Sequence, residues 1–423
     1  MMRKIILLVA SGLILAGFSA YPAWAGEIDI LVEKLVEKGV ISHGEARQIL
    51  TETQEEMKAQ LAQGKSEALP AWVQAIKLKG DFRLRGQEKH QKSANNYNKD
   101  TTIGRVRLRL GLEGKVNEKL LAGVGIASGS GDPRSTNVTL GDSNLKKALV
   151  LDYAYAKYSP LSWFNLVGGK MLLADALWMP TDLVWDSDIT PEGVISQFNK
   201  ELGSNTQGFL NAGVLLVDDD SSSDYDAPMA YIIQPGISHK INDNLSLKGA
   251  VSLQAFHNLK GHVSSGYSAE SNTGNTDNGT TPYTYDYQMI NPALEVKVIQ
   301  PFNALGLNVE SLKLLAEYVN NFDVSEKASG FSAGFKLGHE KISKWGDWQL
   351  KYIYAMLGKD AVLDVLPDSD RYGGATAIRS YETELSFGLG KNTSLGIDVY
   401  RSEKIGMAKA PETLVQVDWN VKF

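Results

Sequence analysis

From residue 76 onward, apolar and polar side chains alternate one for one. Ile76, Leu78, Gly80, Phe82 and Leu84 interleave with Lys77, Lys79, Asp81, Arg83 and Arg85. Val106, Leu108, Leu110 and Leu112 interleave with Arg105, Arg107, Arg109, Gly111 and Glu113, and Val415, Val417, Trp419, Val421 and Phe423 with Gln416, Asp418, Asn420 and Lys422. A period of two places successive side chains on opposite faces of a strand. The pattern predicts sixteen strands, at 76–85, 102–115, 120–127, 148–158, 164–170, 193–200, 207–217, 228–241, 245–259, 285–298, 311–322, 330–339, 348–357, 379–390, 393–402 and 414–423.

Such strands suit either a soluble sandwich, with apolar faces packed together, or a membrane barrel, with apolar faces on lipid and polar faces on a lumen. The connections decide. Those at 87–101, 128–147, 171–192, 218–227, 260–284, 323–329, 358–378 and 403–413 are long and polar, whereas those between them are mostly short, as at 116–119, 242–244 and 391–392. Alternation of long loops and short turns is the mark of an outer-membrane barrel, and a sandwich has no reason to show it. The expected fold is all-β: a transmembrane antiparallel β-barrel of about 16 strands, with 18 as the alternative. Trp72, Trp163, Trp345 and Trp348 fall beside the short turns, where an interfacial girdle would lie. Trp419, Val421 and Phe423 resemble the terminal signature read by barrel assembly machinery.

Before the strands the period is helical. Ile28, Leu31, Leu35, Ala46, Leu50, Met57 and Leu61 recur at threes and fours among Glu and Lys. Gly39 interrupts the pattern, Ser42 and Glu45 form a capping-box sequence, and Pro70 closes it. An amphipathic pair this small needs a partner for its stripe, which suggests a short coiled coil between copies; a periplasmic spacer is the other reading. Arg3 and Lys4, the apolar run 5–20 and Ala23-Trp24-Ala25 form an export signal cleaved after Ala25. The expected organisation is 1–25 signal peptide, 26–70 periplasmic helical segment and 71–423 outer-membrane barrel.

Composition narrows the chemistry. The 423 residues carry a net charge of −6 and no Cys, which argues against nucleic acid held by bulk positive charge and removes thiolate chemistry. The six His are scattered over helix, loops and strands without metal-ligand spacing, and no nucleophile motif occurs. Asp182 with Asp186, or Glu382 with Glu384, could pass for catalytic pairs, but carboxylates at period two suit a lumen lining better. No enzyme activity, cofactor or metal is expected.

The informative charges are on the first two strands. Lys79, Arg83, Arg85, Arg105, Arg107 and Arg109 share one parity and would form a basic patch on the lumen wall. The third long loop carries Asp175, Asp182, Asp186, Asp188 and Glu192 with no Lys or Arg, and its Leu177, Trp178, Leu183 and Trp185 are wasted in open water. It is expected to fold inward, setting acid against the arginines in a constriction.

The order of signal, helical segment with Leu31-Val32-Glu33-Lys34 and Lys38-Gly39-Val40, then Gly80-Asp81-Phe82-Arg83-Leu84-Arg85, the strand 105–113 and the loop sequence 183–193, resembles the "putative porin" family of Gram-negative bacteria. The resemblance covers essentially the whole mature chain. It implies passive diffusion of small hydrophilic solutes or ions by a homotrimer embedded in the lipid and lipopolysaccharide of the outer membrane. The helical start is also similar to that of phosphate-selective porins, which implies possible anion uptake. The alternative function is an outer-membrane anchor whose helices grip the cell wall or a periplasmic partner.

Overall fold

The computed structural model describes residues 36, 42, 44–46, 48, 50–52, 76–92, 98–218, 227–261, 283–406 and 410–423. The chain divides into residues 1–75 and a larger unit, Ile76–Phe423.

In the larger unit all sixteen expected strands are present: β1 (Lys77–Lys92), β2 (Asn98–Asn117), β3 (Leu120–Ser128), β4 (Leu149–Leu161), β5 (Phe164–Lys170), β6 (Glu192–Gly203), β7 (Thr206–Leu216), β8 (Met229–Asn242), β9 (Leu245–His257), β10 (Gln288–Ile299), β11 (Ser311–Asn321), β12 (Ser329–Gly338), β13 (Trp348–Leu357), β14 (Ile378–Gly390), β15 (Thr393–Lys404) and β16 (Glu412–Lys422). Each pairs antiparallel with its sequence neighbours. β1 also pairs with β16, from Asp81↔Lys422 to Gln91↔Glu412, so the sheet closes on itself. The polar residues 87–92, expected as loop, continue the ladder with β2, and 87–91 also with β16. Alternation fades there because both faces of a strand that rises out of lipid can be polar, while the backbone pairing persists.

The distribution of side chains is inverted relative to a soluble protein. Ile233 is 51% exposed beside Gln234 at 1%, and Leu253 48% exposed beside Gln254 at 1%. A barrel that turns apolar residues outward and seals polar ones inside is built for lipid. The short turns carry aromatics at their edges: Trp163 stacks on Phe198 with ring centroids 6.2 Å apart, and Trp345 meets Phe387 edge-on at 5.7 Å. Trp72 lies outside the described residues.

Of the first unit, the capping box is formed. The Ser42 backbone N–H donates to Glu45 Oε2 at 2.8 Å, and the Glu45 N–H donates to Ser42 Oγ at 3.3 Å. Ala46 and Leu50 are helical, whereas Ile28, Leu31, Leu35, Met57, Leu61 and the export signal lie outside the described residues.

Candidate functional site

The arginines of β1 and β2 stand opposite one another in register, with Asp81↔Arg109, Arg83↔Arg107 and Arg85↔Arg105. Like charges opposed on adjacent strands repel, and the structure relieves most of that repulsion with carboxylates from four places. Asp418, next door on β16, accepts from Arg85 Nε at 2.7 Å and Nη2 at 2.8 Å and lies 3.3 Å from Arg83 Nε. Asp81 accepts from Arg107 and Arg109. Asp188 of the third long loop reaches Arg109 Nη1 at 3.1 Å, and Asp370 of the seventh reaches Arg85 Nη1 at 3.4 Å. Lys79 stands apart near the short-turn end, paired with Glu113.

The third loop folds onto the inner wall. Met171, Leu173, Leu177, Leu183, Val184 and Trp185 are buried in one cluster with wall residues such as Ile195, Ile232, Phe256 and Val319. Burying apolar side chains at roughly 25 cal/mol per Å² is what draws such a loop out of water. Polar contacts then fix its path. Trp185 Nε1 donates to Gln254 Oε1 at 2.9 Å, the Trp178 N–H donates to Gln234 Oε1 at 2.8 Å, and Thr181 meets Glu317 and Ser332.

The acidic residues of this loop divide into two groups. Asp182, Asp186 and Asp188 border the lumen beside the arginines. Asp175 instead pairs with Lys157 at 3.0 Å, and Glu192, the first residue of β6, pairs with Lys170 at 3.0 Å at the loop's base. Neither is brought to the arginines.

A second inward loop was missed from the sequence. In the seventh long loop, 358–377, Ala361, Val362, Leu363 and Leu366 join the same apolar cluster. Its Arg371 Nη2 donates to Glu382 at 2.8 Å and its Nε lies 3.4 Å from Asp368. Arg134, from the second long loop, caps this segment: Nη1 donates to the Asp364, Pro367 and Gly374 carbonyls at 3.0, 3.4 and 3.2 Å. Gly374 has φ +79°, and a Cβ there would collide with that guanidinium. The apolar run Ala361-Val362-Leu363 was the available signal, since it mirrors the one in the third loop.

Within the loops, burial raises the carboxyls. Asp186 is held well above the usual carboxylate range by burial and by Asp368 beside it. Burial pushes Asp368 up to about 7 despite the opposing pull of Arg371.

A row of lysines on the wall was also missed. Lys297↔Lys313, Lys313↔Lys336 and Lys336↔Lys351 are direct cross-strand neighbours on β10 to β13. Each strand contributes one Lys on its inner face, and only the register aligns them. Further round, Glu382, Glu384 and Asp398 place carboxylate oxygens within 4.8 Å of one another, but Lys351 Nζ already lies against Glu382 and at 2.9 Å from Glu384. A cation is built into that cluster, which leaves little reason for a metal.

Three cavities follow one another inside the barrel. One of about 310 Å³ borders Lys89, Arg105 and Asp370 on the long-loop side. One of about 240 Å³ lies among Arg83, Arg107, Asp186, Asp188 and Asp398. One of about 430 Å³ lies between Trp178, Phe209 and Lys248 toward the short turns. The first and second share Arg134, Ser135, Asn137, Ser369 and Asp370; the second and third share Asp182 and Ser187. Sixteen strands make a barrel too wide for side chains alone to fill, and here the loops supply the narrowing.

The family described as "Putative porin" matches residues 90–294 and 283–423. The chain belongs to that family. This porin is thus an outer-membrane channel protein. Its fold is similar to that of Pseudomonas putida OprB, with a TM-score of 0.54 and 10% identity over 82% of this chain and 94% of that one. More distant are DcaP of Acinetobacter baumannii, an outer membrane channel (TM-score 0.46, 13% identity, covering 82% and 97%), and a mutant Rhodopseudomonas blastica porin (0.44, 11%, 82% and 100%). No curated protein matches the sequence.

Proposed function

We propose that this porin lets small hydrophilic solutes and ions diffuse passively across the outer membrane through a lumen narrowed by its third and seventh long loops. The observation that carries the reading is the file of three cavities with shared linings, running past the arginine wall and the loop carboxylates. Within such a narrow passage, fixed charges lie inside the Debye length of ~8 Å and can bias ion flow. Because Asp81, Asp188, Asp370 and Asp418 offset most of the arginines, the selectivity is weak, with a modest lean toward anions. Single-channel conductance in planar bilayers, with reversal potential under a KCl gradient, tests this; a protein that folds but passes no current refutes it.

The same reading includes export with cleavage after Ala25, insertion by the barrel assembly machinery into a bilayer faced with lipopolysaccharide, and a homotrimer held in part by the helical stripe. Deleting 27–67 is expected to weaken the oligomer while leaving the barrel folded. A truncated chain that stays as stable a trimer refutes that role.

A further inference from the structure

Four of the five wall arginines have a carboxylate within ion-pair distance: Arg83 and Arg85 share Asp418, and Arg107 and Arg109 share Asp81. Among the described residues Arg105 has none, and its Nε is buried without a hydrogen-bond partner. Its cross-strand neighbours make this worse, because Arg85 stands directly opposite on β1 and the uncharged Thr139 on the other side. With no carboxylate in ion-pair range, the Arg105 guanidinium keeps its charge unmatched at close range, and it lines a cavity.

Arg105 borders the 310 Å³ cavity on the long-loop side of the constriction, together with Lys89, Gln87, Ser130, Ser135 and Asn137. The three acids on that cavity are already engaged. Glu412 faces Lys89 at 3.7 Å, Asp370 accepts from Gln416 at 2.9 Å and Arg85 at 3.4 Å, and Asp132 accepts the Arg134 N–H at 2.9 Å. That leaves Arg105 as a lining cation without a carboxylate in ion-pair range, beside Lys89 and among hydroxyls and amides.

We propose that Arg105 and the cavity it borders form a docking subsite for a small hydroxylated oxyanion, a carboxylate or phosphate, entering from the long-loop side. The two terminal Nη groups of the planar guanidinium can donate side by side to two oxygens of such a group, and Ser130, Ser135 and Asn137 line the same cavity where they can meet hydroxyls. The subsite rests on the channel reading above. It differs from a general basic wall in assigning anion capture to one arginine instead of five. A solute held there is poised at the mouth of the narrower cavity, so its local concentration rises where passage is slowest.

The test is block of the KCl current through single channels of the full-length protein by sodium gluconate or by inorganic phosphate, in wild type, Arg105→Gln and Arg401→Gln. Arg401 is exposed and serves as a charge-matched control. The half-blocking concentration of at least one anion is expected to rise about tenfold in Arg105→Gln, as loss of a charge-assisted pair implies, and to stay within about twofold in Arg401→Gln. Gluconate block alone assigns a carboxylate, and phosphate block alone a phosphate; either supports the subsite. Wild-type channels that conduct but are blocked by neither anion, or are blocked equally after Arg105→Gln, overturn the subsite and leave the channel standing. A folded wild-type barrel without current overturns both.

Discussion

The backbone N–H of Ser369 donates to Asp186 Oδ2 at 2.9 Å, joining the seventh long loop to the third across the lumen. The stitch is double, because the Asp186 N–H donates to the Leu366 carbonyl at 2.6 Å. Two loops from opposite halves of the sequence thus hold one another in the channel.

That junction is expected to make the channel respond to pH. Asp186 and Asp368 both ionise less readily here than in a solvated chain, Asp368 near 7 against an ordinary 3.8. A carboxyl raised in the folded state contributes stability that is full below its ordinary value and is lost as pH rises through the folded value. The stitched, narrow arrangement is therefore favoured in acid and loosened above about pH 7. Single-channel conductance is expected to rise between pH 5 and pH 9, with Asp368→Asn flattening the change. Equal conductance at the two pH values in wild type counts against the junction.

Trp185 is the anchor of the third loop, 4% exposed with its indole N–H on Gln254. Trp185→Ala removes about 3–5 kcal/mol of packing, more than a single loop is expected to lose and remain seated. Larger and noisier conductance should follow, while circular dichroism shows the β-barrel still folded. An unaltered conductance would mean that the remaining contacts suffice.

The charged rims are expected to act in opposite senses. Neutralising Arg105, Arg107 and Arg109 together should move the reversal potential toward cations, and neutralising Asp182, Asp186 and Asp188 should move it toward anions, chiefly through Asp188, because burial keeps Asp182 and Asp186 from ionising readily. In molar salt, where the Debye length falls to ~3 Å, both effects should shrink. Unchanged potentials in both triple variants at low salt would place these groups away from the ion path.

The chain has no Cys, so a single introduced thiol reports topology cleanly. Ser143→Cys, in the second long loop, should react with an impermeant maleimide on intact cells. Asp243→Cys, in a short turn, should react only after the outer membrane is opened. Labelling of both on intact cells contradicts the orientation.

Much of this was legible in advance, and for a physical reason. Lipid on one face and water on the other force period-two alternation, so strands such as Phe164–Lys170 and Trp348–Leu357 have the bounds expected from pattern alone. The inward fold expected of the third loop follows from the same logic, since Leu183 and Trp185 needed somewhere dry. The partners of the arginines were not legible. Asp418 and Asp370 meet Arg85 from 333 and 285 residues away, and closure and loop folding, not spacing, bring them there. The alignment of Lys297, Lys313, Lys336 and Lys351 across four strands was not legible either, because it depends on register.

Pairing of β1 with β16 also has a kinetic side. Joining residues more than three hundred positions apart, this pairing spans the longest sequence separation of any strand pair among the described residues, and contacts of that kind form late. Until it forms, two unpaired strand edges stand open to any other extended chain. The sequence that makes a seamless wall therefore also sets a long vulnerable interval during biogenesis. Escorting the chain through that interval, rather than stabilising the finished barrel, is the demand this architecture places on the cell.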